Sequence, residues 1–305
     1  MAHRVHNRIT KIKDSQGIEL VSHSYMESFL LQHFYNIANE PLEDRSRFID
    51  HFTQYIPQLV TREDNHNLNR LVSEEEVSEV IKEMQSGKAP NPDRFNVDFF
   101  KAYWETLKHD ILKVVDDSRR SKKVLKALNA SFIALIPKQE NAMTLDGFWP
   151  IALCNVVYKI ISKIITNRLK PLLPSLISEE QTGYVEGRKI LNNIIQAHEV
   201  VHSLKSKKQA AMIIQLDLAK SYDKLSWAYI RAILKGYGFD ANWTRWVMAL
   251  VTSTSFSILL NGAPSRTFTP SRGLKQGDML SPFLFFLMME GLGKSIKMEN
   301  AEGRI

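Results

Sequence analysis

The chain has 305 residues, 44% of them hydrophobic, an ordinary share for a globular core and a length that suits two lobes or one large α+β unit. Forty Lys and Arg against 33 Asp and Glu give a net charge of +7, compatible with a polyanionic partner and equally with a plain basic surface. One cysteine, Cys154, excludes an intrachain disulfide and a CxxC metal site and fits a reducing compartment. The N-terminal MAHRVHNRITKIKD lacks the apolar core of a secretory signal. The longest greasy run, FLFFLMM at 283–289, is far short of the roughly 20 residues that span a bilayer. The expected location is intracellular, nuclear or cytoplasmic, with no secretion and no membrane partner.

In chain order, Met26, Phe29, Leu30, Phe34 and Ile37 predict an amphipathic helix over 24–38. Residues 40–72 read as polar and irregular. SEEEVSEVIKEMQSG then carries a strong helix signal: Ser73 and Glu76 as a capping box, Val77, Val80, Ile81 and Met84 as one stripe, and Gly87 as the stop. A Pro-Asn-Pro turn follows, then a helix over 97–117. SFIALIPK at 131–138 predicts a short strand. Val156, Val157, Ile160, Ile161, Ile164, Ile165 and Leu169 mark a long helix. SEEQTGYVEGRK is a turn, residues 189–205 a helix, 210–218 a strand, 226–236 and 242–252 helices, and 255–262 a strand with a turn. Ser281 and Pro282 suit the N-cap and first position of a last, apolar helix. There is no internal repeat and no low-complexity linker. The order of elements predicts an α+β fold with a helical lobe ahead of a sheet-bearing one.

The strand at 212–218 alternates. Met212, Ile214, Leu216 and Leu218 share one face, which should pack on a core, and Asp217 emerges opposite at the strand end. A carboxylate there can hold a divalent metal or cap the next turn. Tyr222 and Asp223 follow. HEVVH at 198–202 matches H-E-x-x-H, with His198 and His202 as zinc ligands and Glu199 as base of a hydrolase. No third ligand stands out downstream, and Ile190, Ile194, Ala197, Val201 and Leu204 explain the same segment as a packed helix. No phosphate-binding glycine loop is present. The basic clusters at Arg119, Arg120, Lys122, Lys123 and Lys126 and at Lys205, Lys207 and Lys208 can meet phosphates or simply face water.

Six pieces then fall in one order: APNPDR from Ala89, LIPK at 135–138, FWPIALCNVVYKIISKIITNRLK, EEQTGYVEGR, QLDLAKSYDKLSW and GLKQGDMLSP. Together they resemble the reverse transcriptase of non-LTR (LINE-type) retrotransposons, from about residue 5 to the C-terminus. NRITKIKDSQGIEL resembles the connecting region upstream of that polymerase, and HEVVH falls where such proteins have a helix of similar sequence.

The resemblance implies a right-hand polymerase that extends a DNA primer on an RNA template with dNTPs and two Mg²⁺ ions. It implies a connecting region over 1–72, mostly helical fingers over 73–209 and a partial palm over 210–305, with the thumb absent. It makes Asp217 the catalytic, metal-binding aspartate and Leu218 the supplier of a carbonyl to the metal. Tyr222 becomes the gate beneath the incoming sugar, Lys138 the lysine that meets the triphosphate, and Gln276 and Gly277 the turn against nucleotide and template base. The family carries a further hairpin with an aromatic-Ala-Asp-Asp sequence, and no such sequence follows residue 282 here. A chain of this kind is expected to be inactive alone, at most a nucleic-acid-binding remnant. Trp149 replaces an Arg usual in the family, Asn91 and Arg94 stand where glycines are usual, and Met279 replaces a Pro.

Overall fold

The computed structural model describes residues 8–41, 45–88, 91–208, 210 and 212–304; Ala89 and Pro90 of the first motif lie outside them. A hairpin of β1 (Ile12–Lys13) and β2 (Glu19–Leu20) opens the fold. The Asp14 carboxylate accepts from the backbone N–H groups of Gln16 and Ile18 at 2.9 Å each and fixes its turn. Helix α1 (His23–Ala38) forms where the apolar spacing places it. Met26 and Leu30 join Ile9 and Ile12 against Ile133, Leu135, Phe148, Ile258 and Leu260. This smaller core ties the N-terminal segment to the sheet.

Residues 40–72 are not simply irregular. They hold α2 (Ser46–Thr53) and α3 (Arg62–Asn69). The signal for α3 is a capping box: Thr61 Oγ1 accepts from Asp64 N at 3.1 Å, and the Asp64 carboxylate accepts from Thr61 N at 2.9 Å. Its apolar stripe is a single buried residue, Leu68, too little for periodicity to show. Helix α4 (Glu74–Glu83) starts as expected, with Ser73 Oγ accepting from Glu76 N at 3.2 Å. The reciprocal half of the expected box is absent because the Glu76 carboxylate is taken by Arg168, at 2.8 Å from Nε and 2.7 Å from a terminal nitrogen. The helix ends at Glu83 with Met84 extended, three residues before the left-handed Gly87 (φ 72°). The helix expected over 97–117 is two, α5 (Val97–Ala102) and α6 (Trp104–Ser121), divided at Tyr103. Arg94 takes the left-handed conformation (φ 66°) its glycine-like position demands. Asn91 does not; it is buried and bonded to Phe95 O and Lys159 Nζ.

The sheet has the order β4-β3-β5-β6. Central β3 (Ala130–Pro137) pairs antiparallel with β4 (Phe148–Cys154) and parallel with β5 (Ser255–Leu260), and β6 (Ala263–Pro264) closes the edge. Strand β4 was hidden inside a motif. Helix α7 (Val156–Leu169) follows β4 and is buried nearly all round, Lys159, Lys163 and Asn167 being among its few partly exposed residues, as suits a helix at the centre of the larger core. A 3₁₀ turn (Lys170–Leu172) and α8 (Leu173–Leu176) lead to α9 (Ile190–Ser206). The short α10 (Ser221–Lys224), α11 (Trp227–Gly236), α12 (Ala241–Thr252) and α13 (Ser281–Ala301) complete the chain. No helix among the described residues is long and apolar enough to cross a membrane.

Two expectations fail. Residues 212–218 form no strand, and Met212, Ile214 and Leu216 are exposed together with Ile213. The alternation asks for a partner, and β5 offers no free edge. One side of β5 takes β3; the other takes β6 and a two-bond bridge between Phe256 and Phe268 at 2.9 and 2.8 Å. Asp217 is therefore not a sheet neighbour of 255–261. Helix α9 forms, but none of its residues is buried, and Ile190 and Ile194 of its stripe are exposed. Periodicity marks a face that could be covered; it does not supply the cover.

Arg168 anchors the α3–α4 corner. Its side chain is 3% exposed, and besides Glu76 it donates to the carbonyls of Leu68, Arg70 and Leu71 at 2.8–3.1 Å. Removing one partner of such a pair strands a buried charge, so Arg168→Met is expected to cost about 3–5 kcal/mol. Urea unfolding would read this as a lower midpoint at unchanged slope. A loss below about 1 kcal/mol would mean that water replaces the guanidinium.

Candidate nucleotide site

The turn between β6 and α13 is clamped on three sides. Against residues 222–227, Gly273 N donates to Leu225 O and Leu274 N to Tyr222 O, both at 2.8 Å, while Trp227 Nε1 donates to Gly273 O at 2.8 Å. Against the edge of β4, Ala152 N donates to Gln276 O at 2.8 Å. Gly277 (φ 98°) lies flat on that strand: a Cβ there would stand 3.4 Å from Ala152 O, in a backbone conformation that other residues resist. Against α7, the buried Asp278 carboxylate accepts from Ser162 Oγ at 2.6 Å, and Leu280 N donates to the same hydroxyl at 3.2 Å.

Two charges are buried beneath this turn. Lys275 Nζ lies 3.7 Å over the Tyr158 ring and donates to Asn129 Oδ1; burial pushes its pKa down, against the pull of Cys154 and Asp278. The Tyr158 hydroxyl, beside Asp278, is held well above the usual tyrosine range, first by burial and then by that carboxylate. Ser281 also donates to Asp278, at 3.2 Å, instead of capping the helix. Helix α13 thus begins one residue earlier than expected: Leu280 is the N-cap and Ser281 the first helical residue.

On the outer side of the turn, Tyr184, Lys220, Ser221, Tyr222, Gln276, Gly277, Met279 and Pro282 line an open cavity of about 530 Å³. The first turns of α13 support it. The Tyr222 ring stacks on Phe285 at 4.5 Å and 19° between planes, and Tyr184 makes T-shaped contacts with Phe283 and Phe286 at 5.7 and 5.3 Å. Gln276 Nε2 donates to both oxygens of Asp223, at 3.2 and 3.1 Å. Burial raises the Asp223 pKa, opposed by Gln276, Lys220 and Lys224, and burial likewise raises that of Tyr222.

Of the residues singled out in the sequence, Tyr222, Gln276 and Gly277 meet at this cavity. Asp217 and Leu218 do not line it; they sit in the exposed, irregular segment before α10, where the Leu218 carbonyl accepts from Ser221 N at 3.2 Å. Lys138 lies at the end of β3 in a separate groove, with Arg8, Lys11 and Phe148. Trp149, on β4, is 53% exposed. Arg119 and Arg120 are paired with Asp116 and Asp117, whereas Lys205, Lys207 and Lys208 are exposed. His198, Glu199 and His202 are exposed on α9, and no three His, Cys, Asp or Glu converge to hold a metal among the described residues. Sequence reasoning missed the support roles of Asp223 and Lys275 and the placement of Tyr184. Their signals were an acid directly after Tyr222, a lysine directly before Gln276-Gly277, and an aromatic directly after a glycine.

The turn, the cavity and their supports fall almost wholly within residues 136–302, which match the family described as reverse transcriptase (RNA-dependent DNA polymerase) over more than half of the chain. The chain belongs to the reverse transcriptase family. It is similar to the transposon TX1 uncharacterized 149 kDa protein of Xenopus laevis, 24% identical over 232 residues that cover 76% of this chain and 18% of that protein. It is also similar to the retrovirus-related Pol polyprotein from the type-2 retrotransposable element R2DM of Drosophila melanogaster. There the identity is 29% over 164 residues, 54% of this chain and 15% of the polyprotein. These relatives place it among the reverse transcriptase domains of non-LTR retrotransposon polyproteins, of whose full length it spans less than a fifth.

The raised Asp223 pKa carries a sign. The fold favours the uncharged carboxyl, so that contribution is complete below the ordinary value near 3.9 and is lost as pH rises through the raised value. Asp223→Asn keeps an acceptor for Gln276 and removes the charge. Its melting temperature is expected to exceed the parent's at pH 7, with the gain shrinking as pH falls toward 4. An equal or lower melting temperature at pH 7 would mean that Gln276, Lys220 and Lys224 outweigh burial.

Proposed function

We propose that this chain contributes the nucleotide-facing wall of a non-LTR reverse transcriptase that copies an RNA template from a DNA primer. The observation that carries the reading is the convergence of Tyr222, Gln276 and Gly277 on one cavity, on a turn that is locked to β4 and α7. In this reading residues 1–72 are a connecting region, 73–209 the fingers and 210–305 part of the palm. The Tyr222 ring, backed by Phe285, cannot swing away, and so crowds a 2′-hydroxyl of an incoming sugar. Asp223 holds the Gln276 amide nitrogen, which leaves the amide oxygen as the acceptor facing a base. Gly277 lets the backbone approach closely. Lys138, in its separate groove, is the point charge assigned to the triphosphate, which would have to reach across to it.

Reverse transcriptases generally use divalent metal, and Asp217 with the Leu218 carbonyl is the assigned contribution here. Mg²⁺ demands near-octahedral oxygen ligation, and two ions side by side need several carboxylates to offset their repulsion. Asp217 is one carboxylate, and no cluster of acids joins it among the described residues. The described residues do not by themselves fit a two-ion centre.

Two measurements test the reading. A fluorescent dNTP is expected to bind the 305-residue chain more tightly than the matching ribonucleotide, and Tyr222→Ala should bring the two affinities to parity. Gly277→Val, which forces a side chain toward Ala152 O, should weaken both. Binding indifferent to both substitutions would place the nucleotide elsewhere. Separately, the chain alone, given primer, template, dNTPs and Mg²⁺, is expected not to extend the primer. Extension that is abolished by Asp217→Ala would show that other carboxylates complete the site.

A further inference from the structure

We infer that Tyr184 is a stacking platform for an unpaired nucleobase at the mouth of the Tyr222–Gln276–Gly277 cavity. The inference rests on the nucleotide reading above and extends it to a residue that reading does not use.

Tyr184 is held in an unusual way. Its neighbours Thr182 and Val185 are buried, yet Tyr184 itself is 61% exposed. Its backbone is left-handed, at φ 57°, a conformation that glycine or asparagine adopts with far less strain than a tyrosine. A turn that needed only this backbone would be better served without the ring. Strain of this kind persists where the surroundings enforce it, and here they do. A Cβ on Gly183 would run into the Phe286 ring, so the glycine lets the turn press onto α13. Tyr184 then meets Phe283 and Phe286 in steeply tilted, T-shaped contacts. Two aromatic contacts hold the ring over a cavity of about 530 Å³ in place of burying it.

The ligand follows from the chemistry of the place. An aromatic ring with limited freedom, facing an open cavity, offers a π surface that any base can stack on, whatever its hydrogen-bonding edge. Lys220 lines the same cavity, and Lys170 stands 5.6 Å over the Phe283 ring behind Tyr184, so phosphates attached to such a base would meet positive charge. Nucleobases reach such a site either on a free nucleotide or on a single strand.

The test uses 2-aminopurine, whose fluorescence is quenched by stacking. One arm is its deoxynucleoside triphosphate, the other a single-stranded RNA carrying one 2-aminopurine; the arm that quenches identifies the source of the base. In that arm Tyr184→Phe should bind within about twofold of the parent. Tyr184→Leu, which keeps an apolar contact to Phe283 and Phe286, should lose roughly 5- to 150-fold, the range for one base–aromatic stack. Tyr184→Gly relieves the left-handed backbone and serves as a folding control. Its melting temperature is expected to stay within about 5 °C of the parent while quenching is lost, a separation that a purely structural role would not give. Parent-like binding by both the Leu and Gly variants would overturn the role of Tyr184 and leave the nucleotide reading intact. Failure of the parent chain to bind either probe would overturn both.

Discussion

The burial of Lys275 and Asp278 on either side of Gln276-Gly277 is the constraint on which the rest of this structure depends. Removing an ammonium from water costs several kcal/mol unless the site replaces its hydration. Here the replacement comes from three elements at once: the Tyr158 ring on α7, Asn129 before β3, and the opposite charge of Asp278 within the turn itself. Asp278 in turn is satisfied by Ser162 on α7 and Ser281 on α13. Neither charge can be accommodated unless the sheet, α7 and α13 are all in place. The turn therefore has one position, and the groups it displays outward have one geometry.

That geometry explains why so polar a turn runs into so apolar a helix. Phe283, Phe285 and Phe286 are close in sequence but do different work. Phe285 backs Tyr222, Phe283 and Phe286 carry Tyr184, and Leu284, Leu287 and Met288 enter the core. A helix spreads neighbouring residues around its axis, about 100° apart, so one short run can face the cavity and the core together. Aromatic contacts suit the first task because offset and edge-on arrangements fix ring orientation as well as position.

The opposite condition holds at 212–218 and α9. Both carry apolar residues in the period of their kind, and both leave them exposed. Among the described residues nothing packs over either face. The segment at 212–218 carries Asp217, so the residue with the most direct chemical role in the family reading is the least fixed by packing.

The sequence by itself determined what depends on near neighbours. Helix α1 followed from its stripe, α4 from Ser73, and α7 from the spacing of its apolar residues. The ordered motifs determined the family, and with it the grouping of Tyr222, Gln276 and Gly277. What only the tertiary structure decided was every feature requiring a partner far away in the chain. Glu76 left its capping box for Arg168, 92 residues on. Strand β5 filled both its edges and left 212–218 without one. Gln276 was oriented by Asp223, 53 residues before it, and Tyr184 was propped by Phe283 and Phe286. Caps, turns and stripes are set by atoms within a few residues. Pairing, burial and the direction of a side chain in a site are set by whichever distant surface arrives, and that is a property of the folded chain alone.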